Sequence, residues 1–259
     1  MTIIERLRQY KELDPHKIAL IVDDKKYTYG DLYDAILSID INDASRIVNV
    51  AQTKESPKHI VALIQSQSFV EQLVQWLAGL YTGYIPMVCH NEMDTEYVEE
   101  LARIIAYKGV APLADFGVLT SGTTGRPKPL WRSESSWSEF FDIQNDIFHI
   151  NKDTRIFLHG SFSFTGVSNM VIAVLWSGGT VITTSSLRPN PWIQLIEEYH
   201  VDHIYALPTK LRLLVRHCKS KVDSINYIIG GSQVLDRQLM EQLEQICPNM
   251  EFILYYGAT

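Results

Sequence analysis

The residues with the clearest chemical potential form a loop in which hydroxyls, glycines and one lysine crowd together after an apolar run. The loop reads Thr-Ser-Gly-Thr-Thr-Gly-Arg-Pro-Lys over residues 120–128 and follows the strand-like run Phe116–Leu119. Glycine lets backbone N–H groups turn inward, the hydroxyls add donors, and the Lys128 ammonium adds compact positive charge. These residue types indicate a phosphate-binding loop, with a structural turn as the alternative. A solvated linker is disfavoured, because Pro127 stiffens the approach to the lysine.

The loop differs from the Walker type, G-x-x-x-x-G-K-S/T, in which glycine and lysine are adjacent and a hydroxyl follows. Here Arg126 and Pro127 separate Gly125 from Lys128, and Pro129 follows the lysine. A proline there lacks the amide that the start of a helix offers to phosphate. The chain also contains no G-x-G-x-x-G dinucleotide fingerprint. The pattern therefore indicates another kind of phosphate loop.

Residues 120–128 resemble the phosphate loop of the adenylate-forming superfamily, whose pattern is S/T-S-G-S/T-T-G-x-P-K. That superfamily comprises acyl-CoA synthetases, aryl-CoA ligases, luciferases and the adenylation domains of non-ribosomal peptide synthetases. The resemblance implies that ATP and Mg²⁺ bind here and that Lys128 acts catalytically on the β- and γ-phosphates. The loop residues that it assigns to nucleotide binding are Thr120, Ser121, Gly122, Thr123, Thr124, Gly125 and Lys128. Pro129, where the family usually has glycine, is a departure.

Two later segments strengthen the resemblance. The residues Gly-Gly-Ser at 230–232 are similar to the family's G-G-A/E/S corner beside adenine, and residues 256–259 match the first four positions of its Y-G-x-T-E motif. In that motif the aromatic ring stacks on adenine, and the threonine, here Thr259, contacts the α-phosphate as a catalytic group. The nucleotide-binding residues that these matches imply are Gly231, Ser232, Tyr255, Tyr256, Gly257 and Thr259. By itself, glycine after two tyrosines could equally mark the end of a strand.

The chain stops before the glutamate of that motif. Family members continue with an aspartate that binds ribose and with a mobile C-terminal domain that carries a second lysine. The resemblance therefore implies that these residues are an N-terminal fragment, which alone does not complete the two-step reaction. It also implies uncovered apolar surface near Phe252 and Leu254, where the family would add further sheet.

The segment after the predicted strand at 155–159 bears on the substrate. Acyl and aryl ligases often carry an aromatic-His pair in this region, and amino-acid-activating domains carry an Asp that pairs the α-ammonium of the substrate. This chain has Ser163 and Thr165 at the matching places. An α-ammonium is therefore disfavoured, because a buried ammonium needs a carboxylate partner. The predicted substrate pocket consists of Phe162, Ser163, Phe164, Thr165 and Gly166.

The resemblance thus predicts an ATP-dependent ligase that converts a carboxylic acid, fatty or otherwise apolar, to an acyl-adenylate and then to a CoA thioester. Small-molecule acid and CoA are the implied partners. One alternative is an amino-acid or aryl-acid adenylation domain that feeds a carrier protein. Another is a nucleotide-binding homologue without catalytic activity. Neither the chain length of the acid nor the choice between CoA and a carrier protein can be read from these residues.

Composition excludes several other classes. The chain has 259 residues, of which 46% are hydrophobic, and a net charge of −7, which disfavours nucleic acid and anionic membranes as partners. Its three cysteines lack C-x-x-C spacing, so they indicate neither a disulfide framework nor a thiolate metal site. His200 and His203 have no third ligand nearby and are predicted to be structural, so no protein metal site is expected. We expect a cytoplasmic protein, because the sequence shows neither a signal peptide nor a membrane span.

The elements that must position these segments alternate between strands and helices of ten or more residues, which predicts parallel sheets. A hairpin formed by Ile18–Val22 and residues 27–29 comes first, and α/β alternation follows over residues 59–107 and 116–255. The predicted fold is α/β, with two doubly wound βαβ subdomains. Residues 1–115 form an N-terminal subdomain in this prediction, and residues 116–259 form a nucleotide-binding subdomain. Ligands in such sheets bind at the carboxyl ends of the strands, where the three matched segments lie.

Overall fold

The computed structural model describes residues 1–50, 60–120, 127–231 and 235–255. The helices are α1 (Ile3–Leu13), α2 (Tyr29–Ser38), α3 (Ile41–Ala44), α4 (Phe69–Thr82), α5 (Thr95–Lys108), α6 (Ser135–Ile147), α7 (Thr165–Ser177), α8 (Pro189–Glu198), α9 (Pro208–His217) and α10 (Arg237–Ile246). The strands are β1 (Ile18–Val22), β2 (Lys25–Thr28), β3 (Arg46–Asn49), β4 (Ile60–Ile64), β5 (Ile85–Val88), β6 (Phe116–Leu119), β7 (Pro129–Arg132), β8 (Arg155–Leu158), β9 (Thr180–Thr183), β10 (His203–Ala206), β11 (Tyr227–Gly230) and β12 (Glu251–Leu254). The predicted mixed α/β fold is confirmed.

The larger sheet has seven strands in the order β12-β11-β10-β8-β9-β1-β2. Its strands are parallel apart from the antiparallel hairpin of β1 and β2. Ala206 at the end of β10 pairs in register with Gly230, which pairs with Leu254 at the end of β12. Three neighbouring strands therefore finish level, at the edge where parallel sheets bind ligands.

The smaller sheet has five strands in the order β3-β4-β5-β6-β7. Strands β4, β5 and β6 run parallel, and an antiparallel strand flanks them on each side. The hairpin of β6 and β7 pairs Leu119 with Pro129, so the two ends of the predicted phosphate loop meet at the tip of this hairpin. Proline is tolerated as the first residue of β7, because β7 is an edge strand.

Each sheet takes strands from both sides of residue 115. The hairpin β1–β2 joins the larger sheet, where Leu20 pairs with Val181 of β9, and β6 and β7 complete the smaller one. A packed aromatic cluster also joins α4 to β6 and α6, since the Trp76 ring lies 5.2 Å from that of Phe116, and Phe116 lies 4.7 Å from Trp137. The boundary between sheets thus does not coincide with the predicted boundary at residues 115 and 116. That subdomain division remains a prediction.

Local sequence signals explain most helix ends. Helix α1 begins at a capping box of Thr2 and Glu5 and ends before Asp14, which precedes a proline. Helix α4 ends at Gly83, which adopts the left-handed conformation at φ 79°. The predicted second hairpin strand, residues 27–29, was wrong in detail, because β2 runs from Lys25 to Thr28. The second hairpin strand ends at Thr28 because the Thr28 side chain caps α2 and accepts a hydrogen bond from the Asp31 amide.

Two further observations concern classes of site. Within the described ranges, no helix is both long and apolar enough to cross a membrane. Among the same residues, no group of three or more His, Cys, Asp or Glu side chains is placed to hold a metal ion. His203 has a structural environment: it is 3% exposed, and its two ring nitrogens contact Asp202 and, at 3.1 Å, the Phe148 carbonyl.

Candidate functional site

The base of the predicted phosphate loop is fixed by hydrogen bonds between its two ends. The Thr120 amide donates to the Lys128 carbonyl at 3.0 Å, and the Lys128 amide donates to the Thr120 hydroxyl at 2.9 Å. The Tyr97 hydroxyl, from α5, donates to the Pro127 carbonyl. The Lys128 side chain itself is exposed. The predicted nucleotide-binding residues Ser121, Gly122, Thr123, Thr124 and Gly125 lie outside the described residues.

The predicted adenine segments lie at the ends of β11 and β12. The Tyr255 amide donates to the Gly230 carbonyl at 3.0 Å, and a Cβ on Gly231 would lie 3.1 Å from a ring carbon of Tyr255. The Tyr255 ring also lies 5.5 Å from that of Phe148. Tyr255 is thus held against Gly231, as the prediction that both belong to one site requires. The predicted residues Ser232, Tyr256, Gly257 and Thr259 lie outside the described residues.

The predicted acid segment connects β8 to α7, and its two phenylalanines have different environments. Phe162 is 1% exposed, and its ring packs edge-on against Phe69 at 6.0 Å and Trp76 at 5.8 Å. It therefore anchors the segment in the core. Phe164 is 43% exposed and is the aromatic side chain that remains available to a ligand.

The start of α7 approaches the adenine segment closely. A Cβ on Gly166 would clash with the Tyr205 hydroxyl oxygen and would lie 3.6 Å from the Tyr255 hydroxyl oxygen. These two hydroxyls are 3.3 Å apart. Burial raises the pKa of Tyr205, so its hydroxyl stays protonated. The glycine is therefore required for the acid segment and the end of β12 to lie side by side.

His90 is a site residue that the sequence analysis did not identify. It is 8% exposed, its Nδ1 lies 3.0 Å from the Ser163 hydroxyl oxygen, and its ring stacks on Phe164 at 5.0 Å. Burial lowers the pKa of His90, while the nearby Thr120 backbone and the charge of Glu92 act in the opposite direction. No group of the described residues completes a hydrogen bond with its buried Nε2. The available signal was its place two residues after β5, at the carboxyl end of a parallel strand.

A polar network holds this region together from three elements. The Ser161 and Ser163 hydroxyl oxygens are 2.9 Å apart, and the Phe162 amide donates to Oε1 of Gln72 at 3.2 Å. The Gln72 amide donates in turn to Oδ1 of Asn91 at 2.8 Å. Gln72 belongs to α4, and Asn91 follows β5. The acid segment, which follows β8 of the larger sheet, is thus bonded to α4 and, through Gln72, to the residues after β5 of the smaller sheet.

A second pair, also missed from sequence, lies just before the acid segment. The Lys210 ammonium donates to the His159 carbonyl, and burial lowers the pKa of that lysine. Burial and the Lys210 charge together lower the pKa of His159 to about 4. The His159 ring lies 4.5 Å from that of Trp192 and donates through Nε2 to the Ser186 carbonyl at 3.0 Å. His159 is therefore neutral at physiological pH.

These contacts form one continuous path. It runs from Thr120 at the loop base to His90, then to Ser163, and from Gly166 at the start of α7 to Tyr255. The described members of the three predicted segments thus meet in one region, at the carboxyl ends of the strands. The roles assigned to them remain predictions.

A family model described as AMP-binding enzyme matches residues 117–259, which is more than half of the chain. The chain belongs to this family of AMP-binding enzymes. The resemblance to adenylate-forming proteins is confirmed by this match.

Similar proteins include ligases and a peptide synthetase. The chain is 25% identical over 99% of its length to a Staphylococcus epidermidis protein named "Putative long chain fatty acid-CoA ligase VraA". It is 23% identical over its whole length to a mycosubtilin synthase protein of Bacillus subtilis, of which it covers 11%. The chain spans 59% of the length of VraA.

A solved structure shows the same fold. The inhibitor-bound N-terminal domain of FACL13 from Mycobacterium tuberculosis superposes with a TM-score of 0.78 at 17% sequence identity. The superposition covers 99% of this chain and 75% of the FACL13 chain. The predicted fold, that of the N-terminal domain of adenylate-forming enzymes, is therefore confirmed.

Proposed function

We propose that the protein carrying this chain uses ATP to activate a carboxylic acid. The carboxylate oxygen attacks the α-phosphate of ATP, the bond to the β-phosphate breaks, and acyl-adenylate and pyrophosphate result. The thiol of CoA then attacks the acyl carbonyl carbon, and AMP leaves as the thioester forms. The family assignment supports this class of reaction.

One observation carries the proposal: the base of the phosphate loop and the acid segment share a buried neighbour, His90. Its imidazole contacts Ser163 through Nδ1, and because Met87 of β5 pairs with Gly117 of β6, His90 and Thr120 follow neighbouring parallel strands at the same level. A carboxylate held near Ser163 and a polyphosphate held by the loop would therefore be adjacent. Adjacency matters because much of the rate of such a step comes from holding the reacting groups in attack geometry.

Lys128 would act electrostatically on the phosphates. Its backbone is tied to Thr120, while its side chain is exposed and free to turn toward a ligand. A fixed cation stabilises the negative charge that accumulates on pyrophosphate as it leaves. The described side chains along the contact path, those of Thr120, Ser163 and Thr165, offer oxygen, which suits Mg²⁺. When bound, Mg²⁺ would supply further charge neutralisation at the phosphates.

We further propose that the acid lacks an α-ammonium and is apolar. The acid segment contains no Asp or Glu, and its exposed aromatic side chain, Phe164, offers an apolar surface. The name of the similar staphylococcal protein, a fatty acid-CoA ligase, points the same way. A second candidate is adenylation for a carrier protein, favoured by the similarity to mycosubtilin synthase over the whole chain.

A pyrophosphate-exchange panel tests the proposal. The complete protein would receive ATP, Mg²⁺ and, separately, fatty acids of graded length, aryl acids and amino acids. We expect exchange with apolar acids, and AMP release with thioester formation when CoA is added. Exchange with amino acids alone would overturn the substrate assignment. Binding of ATP without any exchange would favour a homologue that binds nucleotide and does not catalyse.

A further inference from the structure

We propose that His90 positions the reacting carboxylate, by donating a hydrogen bond from Nε2 to an oxygen of the acid or of its adenylate. The inference rests on the proposed acid activation. Its first support is that the His90 side chain is 8% exposed, yet its Nε2 is a buried polar atom without a partner among the described residues. Buried polar atoms are nearly always bonded, so each exception needs an explanation, such as a ligand.

The imidazole is held in one orientation from three sides. Nδ1 contacts the Ser163 hydroxyl at 3.0 Å, the ring stacks on Phe164 at 5.0 Å with a tilt of 27°, and Thr120 follows the neighbouring strand at the same level. A ring fixed in this way presents Nε2 at a defined point between the loop base and the acid segment. A reaction between two bound groups is faster when the side chains that position those groups have fixed orientations.

Two arrangements of hydrogens fit the network around His90. In one, the Ser161 hydroxyl donates to Oε1 of Gln72 at 3.2 Å or to Oδ1 of Asn91 at 3.3 Å, Ser163 donates to Ser161, and Nδ1 of His90 carries the hydrogen. In the other, the Ser161 hydroxyl donates to the Ser163 hydroxyl at 2.9 Å, which donates to Nδ1 of His90 at 3.0 Å. We infer the second arrangement, in which Nε2 carries the hydrogen. A donor at that position matches a carboxylate, whose oxygens only accept.

The start of α7 adds a second reason to expect an anion here. Thr165 is its first residue, and within the described part of the chain its buried hydroxyl oxygen has no hydrogen-bond partner. The N-cap residue, Phe164, makes no capping hydrogen bond through its side chain, so the first amides of the helix remain available. Helix amino ends favour negative charge. Phe164, which precedes Thr165, stacks on His90, so the start of the helix and the imidazole are neighbours.

The experiment compares two ligands on the complete protein by calorimetry: AMP, and decanoyl-sulfamoyl-adenosine, which mimics the acyl-adenylate. His90→Phe keeps the stacking ring and removes both nitrogens. We expect it to weaken the acyl ligand about tenfold to a hundredfold, the range of a hydrogen bond to a charged group, and to change AMP binding less than about threefold. His90→Gln, which keeps a donor, should recover part of the loss. His149→Asn removes an imidazole stacked on Tyr227 elsewhere and should change neither ligand.

The outcomes separate the two proposals. If the unmodified protein binds neither ligand, the proposed function fails and this inference fails with it. If His90→Phe weakens both ligands equally, or weakens neither, the function stands and the role of His90 is overturned. Nitrogen NMR of the unmodified protein needs no variant. We expect the His90 Nε2 signal to shift with the acyl ligand and not with AMP, and a proton found on Nδ1 instead would contradict the inference.

Discussion

Two buried histidines lie near opposite ends of the strands of the larger sheet. They differ in how many of their ring nitrogens have a hydrogen-bond partner. At the amino ends, His203 contacts Asp202 and the Phe148 carbonyl, so both of its nitrogens are occupied. At the carboxyl ends, His90 contacts Ser163 through one nitrogen, and the other has no partner among the residues that the structure describes. His203 thus has a structural role, whereas the second nitrogen of His90 lies near the loop base and the acid segment, where the proposed role requires a donor.

Cleft size does not distinguish the two ends of the strands, since a cleft of about 620 Å³ lies beside Asp23, Thr184 and Gln194. An open cleft of about 440 Å³ lies at the amino ends, lined partly by His149, Asp202 and Tyr227. Its histidine His203 is fully bonded, and the strands around it begin there. Ligands in parallel sheets bind at the opposite edge. Strand direction, and not cleft size, therefore favours the carboxyl ends as the candidate site.

The largest expected effect at the carboxyl ends of the strands is the loss of adenylation rate when Lys128 is replaced. In the complete protein we expect Lys128→Ala to lower the adenylation rate about a hundredfold to a thousandfold, because a fixed charge at the leaving group is lost. AMP affinity should remain nearly unchanged, since AMP lacks the β- and γ-phosphates. Pyrophosphate exchange and AMP titration measure the two quantities. Lys219→Ala, which removes an exposed lysine outside the contact path, is the matched control, and equal losses of rate and AMP affinity would contradict the role of Lys128.

A change at the amino ends of the strands should lower stability and leave catalysis unchanged. His203→Phe leaves Asp202 and the Phe148 carbonyl without their partner, and we expect the free energy of unfolding to fall by about 1–3 kcal/mol. The kinetics of adenylation should not change, because no described contact joins His203 to the acid segment. Urea unfolding and pyrophosphate exchange measure the two effects. Lost activity at unchanged stability would show that the amino end takes part in the chemistry.

The sequence predicts buried strands better than it predicts edge strands or long-range strand pairing. The bounds of β1 and β6 match the predicted runs Ile18–Val22 and Phe116–Leu119, because apolar runs between turn signals fix short buried strands. Strands β3 and β7 were missed, since each is a short edge strand of which the sequence gives little periodicity. The sequence analysis also did not predict that the β1–β2 hairpin joins the larger sheet. Pairing between strands more than 100 residues apart leaves no local signal in the sequence.

The site shows the same limit. The phosphate loop was found from its residue types, and its base at Thr120 and Lys128 is now visible as a pair of hydrogen bonds. His90 could not be found in this way, because its meaning depends on Ser163, which is distant in sequence and joined to it only by the meeting of the two sheets. Phe162, predicted to belong to the substrate pocket, is buried against Phe69 and Trp76, and its place in the pocket remains a prediction. Composition cannot show which of two nearby aromatics faces inward.

A smaller effect concerns the close approach at the start of α7. A Cβ on Gly166 would clash with the Tyr205 hydroxyl, so we expect Gly166→Ala to raise the KM for the acid about tenfold by displacing that side chain or the helix. Adding Tyr205→Phe removes the clashing oxygen and should restore much of the affinity. Tyr205→Phe alone is the control. Failure of the second change to rescue the first would show that the glycine acts through another contact.

The smallest expected effect is the pH dependence of stability that arises from His159. Its pKa in the folded protein, about 4, lies below the ordinary value of 6.5, first because of burial and second because of the Lys210 charge. Above pH 6.5 both folded and unfolded states are neutral at this residue, and its contribution is constant. As the pH falls from 6.5 toward 4 the unfolded state takes up a proton first, so the folded state loses stability.

His159→Phe isolates that contribution. The variant keeps a ring against Trp192, and the Ser186 carbonyl keeps the Trp192 indole as a donor at 2.7 Å, so the neutral-pH fold should be little disturbed. Because water screens a partly buried group, we expect a modest decline of unfolding free energy between pH 6.5 and 4.5, and a shallower one in the variant. His90, whose pKa is also lowered by burial, contributes in the same sense to both proteins, so only the difference between the two urea-unfolding profiles is informative. Identical slopes for the unmodified protein and His159→Phe would show that His159 is not the group that titrates.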